Sequence, residues 1–105
     1  PGGLQVLFPD GAWHDVRPAP GQFVVNLGDM MGRWTNDRWK STVHRVVNPP
    51  REHATGSRRQ TVGFFLHPNY DARVACLPTC TDAEHLPRYA PILAGEHMRA
   101  KLERR

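Results

Sequence analysis

Ser41-Thr42-Val43-His44-Arg45-Val46-Val47-Asn48-Pro49 is rich in β-branched residues, whose stiff χ1 suits a pleated surface, so residues 41–47 read as a strand. Side chains alternate along a strand, which puts Thr42, His44 and Val46 on one face and Arg45 on the other. After a loop with two prolines and a glycine, Arg58-Arg59-Gln60-Thr61-Val62-Gly63-Phe64-Phe65-Leu66 reads as the next strand. Val62, Phe64 and Leu66 are expected to form its core face, leaving Arg59, Thr61, Gly63 and Phe65 on the other.

The rest of the chain follows the same grammar. Leu4, Val6 and Phe8 alternate on one face, Asp10-Gly11 supplies a hairpin turn, and residues 13–16 form a short return strand. Pro18 and Pro20 interrupt pairing before Gln22-Phe23-Val24-Val25-Asn26-Leu27, expected as a buried strand. Gly28-Asp29 reads as a turn with an acidic N-cap, Met30 to Trp34 as a turn or so of helix, and Thr35-Asn36-Asp37 as its end. Residues 72–77 form a further strand, residues 78–91 are irregular, and residues 96–102 form an amphipathic helix with Met98 and Leu102 one turn apart. Short strands, regular turns and one terminal helix make a mostly β chain, a sandwich or jelly roll.

Composition narrows the class. At 105 residues the chain is at most one domain with room for a respectable core, and 39% hydrophobic with 23% charged residues is ordinary globular usage. No apolar run approaches the roughly 18 residues of a membrane helix, so no membrane partner is expected. The net charge of +4 does not imply nucleic acid, because the basic residues are dispersed or gathered in the final turn as Arg99, Lys101, Arg104 and Arg105. Cys76 and Cys80 match neither a redox nor a zinc spacing, which makes free thiols and a cytoplasmic location the expectation. The chain begins Pro1-Gly2-Gly3 and enters a strand almost at once, as a piece cut from something longer would.

The chemistry-bearing residues are His44, Arg59 and Thr61. A guanidinium on a buried strand requires a carboxylate, either an internal acid such as Asp29 or Asp71 or a bound ligand. Its planar fork suits bidentate binding, the Thr61 hydroxyl can donate to the same oxygens, and Gly63 leaves room.

Gly2-Gly3-Leu4-Gln5-Val6, Pro20-Gly21-Gln22-Phe23-Val24-Val25-Asn26-Leu27-Gly28-Asp29, Arg33-Trp34-Thr35-Asn36, Ser41-Thr42-Val43-His44-Arg45-Val46 and Arg59-Gln60-Thr61 before Phe64-Phe65 together resemble the 2-oxoglutarate and Fe(II)-dependent oxygenases of the isopenicillin-N-synthase-like group. The resemblance runs in order over essentially the whole chain. It implies the C-terminal half of a double-stranded β-helix, a jelly-roll relative, with a short helical turn and a C-terminal helix. Residues 1–70 would be the C-terminal part of the dioxygenase domain and residues 71–105 an extension.

By this resemblance His44 is the last of three iron ligands, and Arg59 with Thr61 matches the Arg-x-Ser pair that grips the far carboxylate of 2-oxoglutarate. No catalytic residue is implied beyond these. Asn26 and Phe65 are candidates for the substrate mouth. The implied reaction couples oxidative decarboxylation of 2-oxoglutarate to hydroxylation, desaturation or ring closure of a small molecule by O2; some members dispense with 2-oxoglutarate or use ascorbate. Threonine at position 61 departs from the usual serine, and the His44-to-Arg59 interval is longer than usual.

The larger departure is the missing His-x-Asp or His-x-Glu pair, which occurs nowhere in these residues. His14-Asp15 is no substitute, since adjacent strand residues face opposite sides. His53, His67, His85 and His97 fall in expected loops or on the terminal helix and are not assigned as ligands. Two readings therefore compete: part of an oxygenase whose other ligands lie upstream, or a non-catalytic β-sandwich or pseudoenzyme module that has lost them. Half a double-stranded β-helix leaves uncovered edges and faces, so the isolated chain is expected to aggregate, dimerise or stay partly unfolded.

Overall fold

A computed structural model describes residues 2–53, 55–56 and 58–104; Pro1, Arg105 and, from the expected loop of residues 48–57, Ala54 and Ser57 lie outside the described residues. The chain divides into two compact units interleaved in sequence: Pro1–Asn26 with Thr42–Phe64, and Leu27–Ser41 with Phe65–Arg105.

The first unit is built on a three-stranded antiparallel sheet. The strands are β1 (Leu4–Leu7), β2 (Trp13–Asp15) and β3 (His44–Val46), in the order β2-β1-β3. The hairpin between β1 and β2 forms as its residues dictate. Gly11 takes φ +80°, its N–H donates to the Phe8 carbonyl at 2.9 Å, and the Asp10 carboxylate accepts the Ala12 N–H at 2.8 Å. Gln5 pairs with Asp15 and Arg45, while Val6 pairs with His14 and His44. Backbone bonds from Leu7 N–H to the Val43 carbonyl (2.9 Å) and from Val47 N–H to the Gly3 carbonyl (2.8 Å) bracket β3, so the strand expected over residues 41–47 forms around its middle.

The side chains on one face lock this register. Arg45 Nε donates to Gln5 Oε1 at 2.9 Å, Gln5 Nε2 donates to Asp15 Oδ1 at 2.9 Å, and the Arg45 guanidinium lies 4.0 Å over the Trp13 ring. A shift of one residue would break all three contacts and turn His44 to the opposite face.

The second unit gathers around α1 (Asp29–Trp34), β4 (Arg73–Val74), β5 (Ile92–Leu93) and α2 (Ala94–Glu103); β4 and β5 are antiparallel. Asn36 and Asp37 end α1 with φ of +52° and +63°, conformations that asparagine and aspartate tolerate better than most residues. The Asn36 side chain then ties down residues 80–88. Its amide donates to the carbonyls of Cys80 (3.3 Å) and Leu86 (3.2 Å), and its oxygen accepts the Arg88 N–H at 2.9 Å. Asp37 accepts from the Tyr89 hydroxyl at 2.7 Å and from Arg88 Nη1 at 3.2 Å. Cys76 and Cys80 are free thiols. None of the described helices is long and apolar enough to cross a membrane.

Two expected strands and the expected core need correction. The segment 22–27 is not a buried strand: it has no ladder partner among the described residues, and Phe23 is 93% exposed. Residues 58–66 are likewise unpaired, and the expected core face is exposed, Phe64 at 88%. Alternation says which side chains share a face, but a strand exists only where another strand accepts its hydrogen bonds, and none among these residues does. The respectable core is also missing, since Val74 and Ala94 are the buried hydrophobic residues among those described.

Asp29 is the first residue of α1 rather than its cap, which is Gly28. Its carboxylate makes an ion pair with Lys101 and stands 3.4 Å from His97 Nε2, both on α2. Partial burial pushes the Asp29 carboxyl up, but the Lys101 hydrogen bond and charge, with His97, outweigh it and hold the carboxyl below the usual carboxylate range. The stabilisation is therefore present above that range and is lost as pH falls through the lowered value. Asp29→Asn should lower the thermal midpoint at neutral pH, and the gap from wild type should close on acidification below about pH 4. A gap that does not change with pH would rule out this ionic contribution.

Candidate functional site

His44 sits on β3 on the face shared by Leu4, Val6, His14 and Val46, opposite the Gln5-Arg45 lock. Its Nδ1 lies 3.2 Å from the Thr42 carbonyl. A carbonyl oxygen only accepts, so Nδ1 carries the proton and Nε2 of the neutral ring keeps its lone pair. That is the arrangement in which a metal-ligating imidazole is held by its other nitrogen.

Arg59 reaches back to the beginning of β1, where Nη1 donates to the Gly2 carbonyl at 2.7 Å. Gly3 makes this approach possible. It adopts φ +129°, and a Cβ there would stand 3.0 Å from Arg59 Nη1 and 3.0 Å from the Val47 carbonyl oxygen. Arg59 therefore joins the end of the sheet where β1 meets Val47, three residues or about 10 Å along the strand from His44.

Arg59 is exposed on an unpaired segment rather than lying in a buried strand, which removes the requirement for an internal acid. It forms no ion pair among the described residues, and Asp29 is engaged by Lys101 and His97. Thr61 and Asn26 are exposed in the same unit. Phe65 belongs to the second unit, where its ring is parallel to that of His67 with centroids 6.1 Å apart. The sheet thus brings His44 and Arg59 onto one small scaffold and leaves Asn26 and Phe65 unassembled. Among the described residues no three His, Cys, Asp or Glu side chains converge to hold a metal ion. The donors present fit one ligand position and a carboxylate clasp, not a complete metal centre.

Sequence reasoning missed Gln5 and Arg45, the residues that aim His44, and the row that His14 forms with His44. The signal was out of reach, because it depends on β3 pairing with β1 across about 40 residues.

The family model of the 2OG-Fe(II) oxygenase superfamily matches residues 1–68. The chain is 46% identical over 98 residues to the 2-oxoglutarate-Fe(II) type oxidoreductase hxnY of Emericella nidulans, covering 92% of this chain and 27% of that protein. Among solved structures it matches a 2OG-Fe(II) oxygenase family protein of Caulobacter crescentus at 45% identity and TM-score 0.90, over 98% of this chain and 34% of that one. A full-length Neurospora crassa protein in complex with alpha-KG matches at 36% identity and TM-score 0.78, over 97% of this chain and 31% of that one. The chain spans about a third or less of the length of these relatives.

Gly3→Ala should strain the backbone and displace Arg59, at a cost on the order of 1–3 kcal/mol in unfolding free energy. Denaturant titration checks it. A loss below about 0.5 kcal/mol would mean the close approach of Arg59 is not a feature of the folded chain.

Proposed function

The chain belongs to the 2OG-Fe(II) oxygenase superfamily, and we propose that it supplies the last iron ligand and the 2-oxoglutarate clasp of such an enzyme. The observation that carries this is His44, aimed by the Gln5-Arg45 lock and held at Nδ1 by the Thr42 carbonyl so that Nε2 is free to coordinate. In this reading the small antiparallel sheet and the C-terminal helix belong to the C-terminal half of a double-stranded β-helix. Residues 1–70 complete the oxygenase domain and residues 71–105 extend it. In this reading the other two ligands, a His-x-Asp, are supplied from outside these residues, and the free thiols Cys76 and Cys80 support a cytoplasmic location.

Each residue has a defined task. His44 donates its Nε2 lone pair and fixes one position of the metal. Arg59 turns its planar fork to the far carboxylate of 2-oxoglutarate, and the Thr61 hydroxyl donates to the same group. Asn26, exposed in the same unit as His44 and Arg59, contacts the small-molecule substrate. Bound Fe(II) supplies the activation of O2 and the oxidative decarboxylation of 2-oxoglutarate that drive substrate oxidation. The unpaired apolar segments 22–27 and 58–66 complete their ladders with strands of the remaining protein.

Calorimetry on the full-length protein tests the two roles separately. His44→Ala should abolish tight metal binding, and Arg59→Ala should weaken 2-oxoglutarate by about 2–4 kcal/mol, roughly 30- to 1000-fold, while sparing the metal. Unchanged metal affinity in the first or unchanged cosubstrate affinity in the second would refute the corresponding role.

The 105 residues alone should dimerise or aggregate through their exposed apolar segments, Phe23 and Phe64 included. Light scattering coupled to size exclusion reads this directly. A monodisperse, cooperatively melting monomer would contradict it.

A further inference from the structure

Helix α2 is fixed to the second unit by its start and by one side. The Ala94 N–H donates to the Ala72 carbonyl and the Gly95 N–H to the Tyr70 carbonyl, both at 2.9 Å. His97 and Lys101, one turn apart, face Asp29 of α1: Lys101 makes an ion pair with it, and His97 Nε2 stands 3.4 Å from Oδ2. Gly95, Met98 and Leu102, spaced i, i+3 and i+7, form a separate apolar stripe on another side of the helix.

That stripe borders an open groove of about 390 Å³, with Pro68 and Tyr70 as the facing wall. The Tyr70 ring lies so close to Gly95 that a Cβ there would overlap it, and glycine is what lets the ring form the groove's floor. Tyr70 is 64% and Leu102 63% exposed, so among the described residues nothing covers these two large apolar walls. Arg99 is the one charged residue of the lining, and its tie within the helix is loose: Nε stands 3.9 Å from Glu103 Oε1. An exposed pair of that length leaves the guanidinium available to a better placed carboxylate.

The relatives that this chain matches are about three times as long or longer. In a protein of that length the larger part lies outside these residues. A tethered segment meets the groove at an effective concentration on the order of millimolar, which a free second copy in solution does not reach. We propose that the groove is an internal docking site, filled in the full-length protein by an amphipathic segment from outside residues 1–105. Its apolar side chain packs between Tyr70 and Leu102, and its carboxylate pairs with Arg99. His44 and Arg59 have no part in this, so their metal and cosubstrate titrations can fail without touching it.

The test places photoreactive p-benzoylphenylalanine in the full-length protein at position 70 and, separately, at position 102, and maps the products of irradiation by mass spectrometry. Each should cross-link within one chain to a peptide that lies outside residues 1–105 and carries Asp or Glu. A cross-link between two chains, a cross-link confined to residues 1–105, or none from either position overturns the proposal. Arg99→Met should lower the thermal midpoint of the full-length protein by about 2 °C, and by the same amount when Glu103→Gln is already present. A loss that vanishes in the Glu103→Gln background makes Glu103 the partner of Arg99 and overturns the pairing proposed.

Discussion

The double pairing of β1 is the constraint on which the site depends. One four-residue strand is bonded to β2 on one side and β3 on the other, and its register decides which face of the sheet His44 takes. Gln5 accepts from Arg45 and donates to Asp15, which ties three strands together on one face. On the reverse face the same register aims His44 and His14. The polar lock and the candidate ligand are thus two sides of one arrangement, and a slip that lost the first would also reverse the second.

Arg59 depends on the same strand at its entrance. The carbonyl of Gly2 receives its guanidinium, and the unusual φ of Gly3 leaves the space. Gly3 is thus a condition for Arg59 to reach this end of the sheet. The second unit is organised by a comparable economy: two residues in left-handed conformations, Asn36 and Asp37, turn the chain out of α1 and then anchor residues 80–89 through their side chains.

Much of this was legible in the sequence, for local reasons. The Asp10-Gly11 hairpin, the short helix before Thr35-Asn36-Asp37, the strand around His44 and the terminal helix all follow from residue chemistry within a few positions. The failures are equally physical. Residues 22–27 and 58–66 have the composition of strands, yet a strand's hydrogen bonds are satisfied by other segments, and periodicity carries no information about whether those are present. His44 and Arg59 stand out as candidates because histidine and arginine are unusual in segments of strand composition, and their roles as ligand and clasp are what the family resemblance implies. His14 and its neighbour Asp15 take opposite faces as strand alternation requires, and the alignment of His14 with His44 is a property of two long-range pairings that no local pattern reveals.

The most direct test of the central claim is a crystal structure of the full-length protein grown with Fe(II) and 2-oxoglutarate under anaerobic conditions, with diffraction recorded at the iron edge. The anomalous peak should lie within about 2.0–2.2 Å of His44 Nε2, the usual metal–imidazole distance, and the far carboxylate of 2-oxoglutarate should rest on Arg59 and Thr61. An iron peak on other side chains, with His44 unligated, would contradict the account.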